Sequence, residues 1–127
     1  MKKMLIKKID QYEAAVLLQE KDIPSDILLN KGGLLSPLAT EKDLVEAILH
    51  QREIYVFAPI ADKNTVELEV REISEIEAAR AVLEGQTVFA TIENIYQYDV
   101  STFKKYVKIL TEDIKTLKFA VQSSRLN

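Results

Sequence analysis

The feature that most constrains the fold is a regular line of apolar side chains in the last quarter of the chain. Alternating steps of four and three residues separate its members, which are Phe103, Val107, Leu110, Ile114, Leu117 and Val121. This spacing places them on one face of an α-helix, because a helix turns by about 100° per residue. The sequence therefore predicts a long amphipathic C-terminal helix, capped by Ser101 or Thr102 and packed on the protein by this face.

A basic line runs beside the apolar one in the predicted helix. Its members are Lys104, Lys108, Lys115 and Lys118. Phe119 would project away from the apolar face, among charged side chains. Two interpretations follow: Phe119 is an exposed ring that anchors a partner, or it is a core residue of a helix buried on both faces.

Length and composition fit one domain over residues 1–127. Of the 127 residues, 47% are apolar, which is enough for one core. The chain contains no cysteine, which excludes disulfides and thiolate metal sites and is typical of a reducing compartment. The apolar run over residues 4–6 is too short for a signal peptide or a membrane span. We expect a soluble, cytoplasmic protein.

The net charge of −3 is unevenly distributed. Residues 1–9 hold four lysines and no acid, residues 10–100 hold 7 basic and 18 acidic side chains, and residues 101–127 hold 6 basic and 2 acidic ones. Such ends either fold back on the acidic body or attract a second copy or an anionic partner. Nucleic acid is a weaker candidate, because the sequence pI is about 5.3 and the lysine line has no arginine for base readout.

The first forty residues allow more than one interpretation. Residues 4–9 fit a strand or the start of a long helix, and a strand followed by a helix capped by Asp10 is favoured by the helix dipole. Residues 22–40 hold two prolines, two glycines and five leucines. They predict an irregular loop with one helical turn over 25–30, either packed in the core or covered by a partner. Leu34 and Leu35 of this loop are candidate partner contacts.

The signals after residue 40 are sharper. They predict a helix over 41–51 capped by Thr40, strands over 53–59, 66–71 and 87–92, and a helix that begins with the Ser74–Glu77 capping pair. Residues 93–100 are expected to be a connection, in which Tyr96 and Tyr98 either close the core or contact a partner. No internal repeat is apparent. The prediction is an α+β fold with a small, mainly antiparallel sheet of about four strands, three shorter helices and the long C-terminal helix packed on it.

No pattern of catalytic residues stands out. His50 is the single histidine, so zinc sites and a serine triad lack the residues they need. Asp62, Glu67 and Glu69 could gather a divalent cation on a hairpin, but they also match the wet face of an ordinary strand. We expect no catalytic residue, no metal site and no cofactor.

The sequence thus favours a non-enzymatic protein-interaction or regulatory module, such as an adaptor, an inhibitor or a regulatory subunit, that forms a homodimer. The dimer is expected because the apolar line exceeds what a small sheet can cover. Its candidate partner contacts are Phe119, Lys104, Lys108, Lys115, Lys118, Tyr96, Tyr98, Leu34 and Leu35. The alternatives are a nucleic-acid-associated regulator that uses the basic C-terminal helix and a carboxylate-metal phosphodiesterase or nuclease.

Overall fold

The structure, a computed structural model, describes residues 2–20, 27–93, 96–100 and 102–126, and only the backbone of residues 2 and 96–98. Within these residues the chain forms eight strands and four helices, an α+β fold. In chain order they are β1 (Lys2–Ile9), α1 (Gln11–Gln19), β2 (Ile27–Lys31), β3 (Leu34–Pro37), α2 (Glu41–Leu49), β4 (Ile54–Phe57), β5 (Thr65–Ile73), α3 (Glu75–Leu83), β6 (Val88–Ile92), β7 (Tyr96–Asp99), α4 (Phe103–Thr111) and β8 (Leu117–Gln122). The α+β prediction is confirmed, but the prediction of about four strands is wrong.

The chain divides into two compact units. The N-terminal unit comprises Met4–Leu68 with Arg125–Asn127, and the C-terminal unit comprises Glu69–Ser124 with Met1–Lys3. Strands lie in the order β1-β4-β2-β3 in the N-terminal unit and β5-β8-β6-β7 in the C-terminal unit. Each unit follows the chain order β-α-β-β-α-β, so both have one topology, a repeat that the sequence did not reveal. The expectation of a single domain concerns whether the units fold together, and it stays a prediction.

The strand registers repeat as well, and every pair within a unit is antiparallel. Ile9 on β1 lies opposite Ile54 on β4. Ile73 on β5 lies opposite Phe119 on β8 at the corresponding position. Phe119 is therefore the structural counterpart of Ile54, and both side chains are buried.

Each unit has a hydrophobic cluster formed by residues of its strands, helices and connections. The cluster of the N-terminal unit consists of Ile9, Ala14, Ile27, Leu29, Leu38, Leu44, Ala47 and Ile54. That of the C-terminal unit consists of Ile73, Ala78, Ala81, Val82, Val88, Ala90, Val100 and Phe119. Alternate residues of the strands supply these side chains, because successive strand residues point to opposite faces of a sheet.

The helices begin where the sequence predicts. Residues 4–9 lie in a strand, and Asp10 caps α1 by accepting a hydrogen bond of 2.8 Å from the Glu13 N–H. Thr40 and Ser74 form capping boxes with Asp43 and Glu77 at the starts of α2 and α3. Each box lies within four residues and satisfies backbone N–H groups that the helix leaves unpaired.

The Asp43 carboxylate has an electrostatic role in its capping box. Burial raises the pKa of Asp43, but hydrogen bonds from Ala39 and Thr40 and the charge of Lys31 outweigh it, so the pKa of this carboxyl lies below its ordinary value. A depressed carboxyl pKa stabilises the folded chain above the unfolded pKa, and this stabilisation is lost as the pH falls through the folded value.

The predicted leucine-rich loop is a β-hairpin. Lys31 pairs with Leu34 across a two-residue turn, and both turn residues have positive φ, 64° at Gly32 and 93° at Gly33, as a type I′ turn requires. The helical turn expected over 25–30 is wrong for residues 27–30, which belong to β2, and the remainder lies outside the described residues. Strand alternation buries Leu35 and leaves Leu34 exposed.

The predicted long C-terminal helix is wrong. The helix α4 ends at Thr111, and Asp113 turns the chain with a φ of 49°. Asp tolerates this conformation better than most residues do. The segment after the turn forms β8 between β5 and β6, where its backbone is hydrogen-bonded on both sides. The expected connection over residues 93–100 is also wrong in part, because Tyr96–Asp99 forms β7, an edge strand beside β6 in this unit.

Candidate protein-binding face on α4

The helix α4 has well-defined ends. Thr102 caps it, with its hydroxyl oxygen accepting a hydrogen bond of 3.2 Å from the Lys105 N–H. At the other end, the Thr111 hydroxyl donates to the Lys108 carbonyl at 2.6 Å. Asp113 then adopts the left-handed conformation common just beyond a helix.

Two side chains attach the inner face of α4 to the C-terminal unit. Tyr106 and Ile109 are half-buried against the cluster that contains Phe119. The rings of Tyr106 and Phe119 lie 5.4 Å apart between centroids, within the range of favourable aromatic pairs. The Tyr106 hydroxyl donates to the Glu75 carbonyl at 3.2 Å, and burial together with the Glu75 charge raises the pKa of Tyr106.

An ion pair also fixes the rotation of α4. The Lys105 ammonium lies 3.4 Å from the Asp99 carboxylate, whose side chain is 1% exposed. A carboxylate taken out of water is costly unless other groups compensate its charge. Asp99 therefore holds Lys105 towards the sheet and turns the opposite face of α4 outwards.

Replacing Lys105 with alanine should lower the free energy of unfolding by about 1–3 kcal/mol, because Asp99 would lose a charged partner while staying buried. Lys104→Ala on the outer face is the matched control and should change it by less than about 0.5 kcal/mol. Urea denaturation measures both. Asp99→Asn in the Lys105→Ala background should recover part of the loss, and equal effects of the two lysine variants would contradict this role.

The outer side of α4 carries an apolar stripe with a basic border. Phe103, Val107 and Leu110 are 63%, 59% and 41% exposed. Their spacing of four and three residues places them on one strip of the helix surface. Lys104 and Lys108 lie beside them and are also exposed. We name these five residues the α4 face.

The other predicted contacts lie outside α4. Lys115 lies in the turn after α4, and Lys118 lies on β8 with its ammonium 3.9 Å from Glu72. The interpretation of Phe119 as an exposed anchor is wrong, because Phe119 is 3% exposed. Leu34 is exposed and Leu35 buried on β3, while the side chains of Tyr96 and Tyr98 lie outside the described part.

The sequence revealed the helical spacing of Phe103, Val107 and Leu110, but it predicted that these residues pack in the core. The prediction chose the wrong face of the helix because it extended the helix through residues that form β8. One signal could have corrected this. Leu117, Phe119 and Val121 alternate with Lys118, Ala120 and Gln122, a pattern of two that is typical of a strand.

The acidic residues considered for a metal site have structural partners. The Asp62 carboxylate accepts a hydrogen bond of 2.7 Å from the Asn64 N–H in a tight turn. The Glu69 carboxylate accepts one of 2.9 Å from the Ser124 hydroxyl. Among the described residues, no three His, Cys, Asp or Glu side chains are grouped as metal ligands would be. His50 is an exposed C-cap of α2.

An open groove of about 880 Å³ lies in the N-terminal unit, between the end of β1, the start of α1 and the segment after α2. Basic and acidic side chains alternate around it, including Lys7, Arg52, Asp10, Glu13 and Glu53. Lys8 and Glu53 pair at 3.3 Å. This mixture of charges does not select one class of ligand, so the groove is a weaker candidate than the α4 face.

No helix in the described parts of the chain has the length and apolarity that a membrane crossing needs. Comparison of the chain with protein-family models, with curated proteins and with solved structures finds no match.

Proposed function

We propose that the protein is a non-enzymatic interaction module that binds protein surfaces through the α4 face and associates with itself. The observation that carries the proposal is the exposed stripe of Phe103, Val107 and Leu110. Exposed apolar residues are normal when scattered. Here three large ones share one strip of a helix, and the Asp99–Lys105 pair supports their orientation.

The free energy gained by burying this stripe limits what the α4 face can bind. Full burial of a large apolar side chain contributes about 1.5–3 kcal/mol, so covering the exposed fractions of these three side chains contributes roughly 2–5 kcal/mol. Association itself costs about 4–15 kcal/mol. The stripe therefore supports binding only when the partner also buries apolar surface, which favours an apolar partner face.

Light scattering at micromolar concentrations tests the proposal. The wild-type protein should show at least twice its chain mass of 14.5 kDa. The double variant Val107→Asp and Leu110→Asp should be monomeric, because burying two carboxylates opposes association. Ile76→Asp is the matched control, since Ile76 is an exposed apolar residue on α3, and this variant should associate like the wild type.

Three results would contradict the proposal. The first is a monomer at every concentration, and the second is equal association of the double variant and the wild type. The third is retention on a polyanion column that Lys104→Gln with Lys108→Gln abolishes, which would favour the nucleic-acid alternative. Circular dichroism of each variant verifies that the chain keeps its secondary structure.

A further inference from the structure

The helix α2 is the structural counterpart of α4 and also presents an exposed apolar stripe. The two helices occupy the same place in the repeated topology. Val45 corresponds to Val107 and Ile48 to Leu110, since each pair has the same position in its nine-residue helix. All four side chains are exposed. The two units thus offer helical surfaces of similar apolar shape.

The net charges beside the two stripes differ in sign. On α2, Glu41, Lys42 and Glu46 together carry one net negative charge, whereas on α4 Lys104 and Lys108 carry two positive charges. Lys42 and Lys104 occupy the same helical position, but Glu46 replaces Lys108 at the other. All five residues are exposed, and within the described part of the chain none belongs to an ion pair.

We infer that the surface bound by the α4 face is the α2 face of a second copy of this chain, formed by Glu41, Val45, Glu46, Ile48 and Leu49. This inference rests on the proposed function and names its partner. Apposing the two stripes buries apolar side chains on both sides, as the energetics of association require. It also brings the net negative border of α2 onto the positive border of α4, whereas pairing two α4 faces would bring lysines together.

Charge exchange between the two faces tests the inference. Glu41→Lys with Glu46→Lys makes the α2 face basic, and Lys104→Glu with Lys108→Glu makes the α4 face acidic. Each double variant alone should dissociate, with its dissociation constant raised about tenfold or more at low salt. The quadruple variant, which keeps the net charge of the wild type, should associate again. An equimolar mixture of the two double variants should also associate.

Glu20→Lys with Glu84→Lys is the control, because both residues are exposed C-caps of other helices, α1 and α3, and the change in net charge equals that of the α2 variant. It should associate like the wild type. Sedimentation velocity measures association at low and physiological salt, and urea denaturation verifies that each variant folds.

The outcomes separate this inference from the proposed function. A monomeric wild type overturns both. If the wild type associates through Val107 and Leu110 but the α2 charge variant associates equally well, the α4 face binds another surface and only this inference fails. It also fails if the quadruple variant stays dissociated while remaining folded.

Discussion

Replacing Phe119 with alanine is expected to lower the free energy of unfolding by about 3–5 kcal/mol, as truncation of a buried phenylalanine does. Phe119 is 3% exposed, occupies the middle of β8 between β5 and β6 and packs on the Tyr106 ring. Its removal leaves a cavity that paired strands cannot close. Urea denaturation followed by circular dichroism measures the change.

Phe103→Ala is the matched control for Phe119→Ala. Phe103 is 63% exposed, so its truncation should change the free energy of unfolding by less than about 0.5 kcal/mol while weakening self-association. The two phenylalanines would thus separate folding from binding. Similar losses of stability in both variants would contradict the assignment of Phe119 to the core and Phe103 to the α4 face.

Gly33→Ala is expected to have the second large effect. The φ of 93° at Gly33 costs an L-residue about 1–2 kcal/mol. A Cβ there would also lie 2.9 Å from both the Arg125 Cβ and the Leu126 carbonyl oxygen, a collision that adds about 1–3 kcal/mol. The C-terminal segment cannot easily move away, because the Leu126 N–H donates to the Gly33 carbonyl at 2.9 Å and Arg125 donates to the Gly32 carbonyl at 2.7 Å.

Gly85→Ala isolates the backbone contribution. Gly85 has a φ of 79°, but no atom lies within 4 Å of an added Cβ, so alanine there should cost only the conformational part. Deleting residues 125–127 should reduce the additional cost of Gly33→Ala. Equal costs at the two glycines, or no effect of the deletion, would contradict the close packing of the C-terminal segment on the hairpin turn.

The candidate site was only half predictable. Periodicity showed that Phe103, Val107 and Leu110 share a face, and the same helical spacing placed Lys104 and Lys108 beside them. Periodicity does not state which face meets the sheet. That choice depends on Tyr106 and Ile109 reaching the cluster and on Lys105 reaching Asp99. These contacts are made with residues outside the helix, and the spacing of residues within the helix does not describe them.

The sequence by itself determined the features that depend on neighbouring residues. Asp10, Thr40, Ser74 and Thr102 start their helices by hydrogen bonds to residues three positions away, so the information is complete within a few residues. The strands over 54–57 and 65–73 were likewise visible in alternating or β-branched residues.

Only the tertiary structure decided the features that depend on distant partners. The residues of β8 have helical spacing in isolation, but as a strand their backbone pairs with both β5 and β6. The repeat of strand order and register was hidden for the same reason, because a buried position restricts size and polarity without fixing identity. Ile54 and Phe119 can therefore occupy equivalent positions although they are different residues. Hydrogen bonds and packing from neighbouring strands set the position of each.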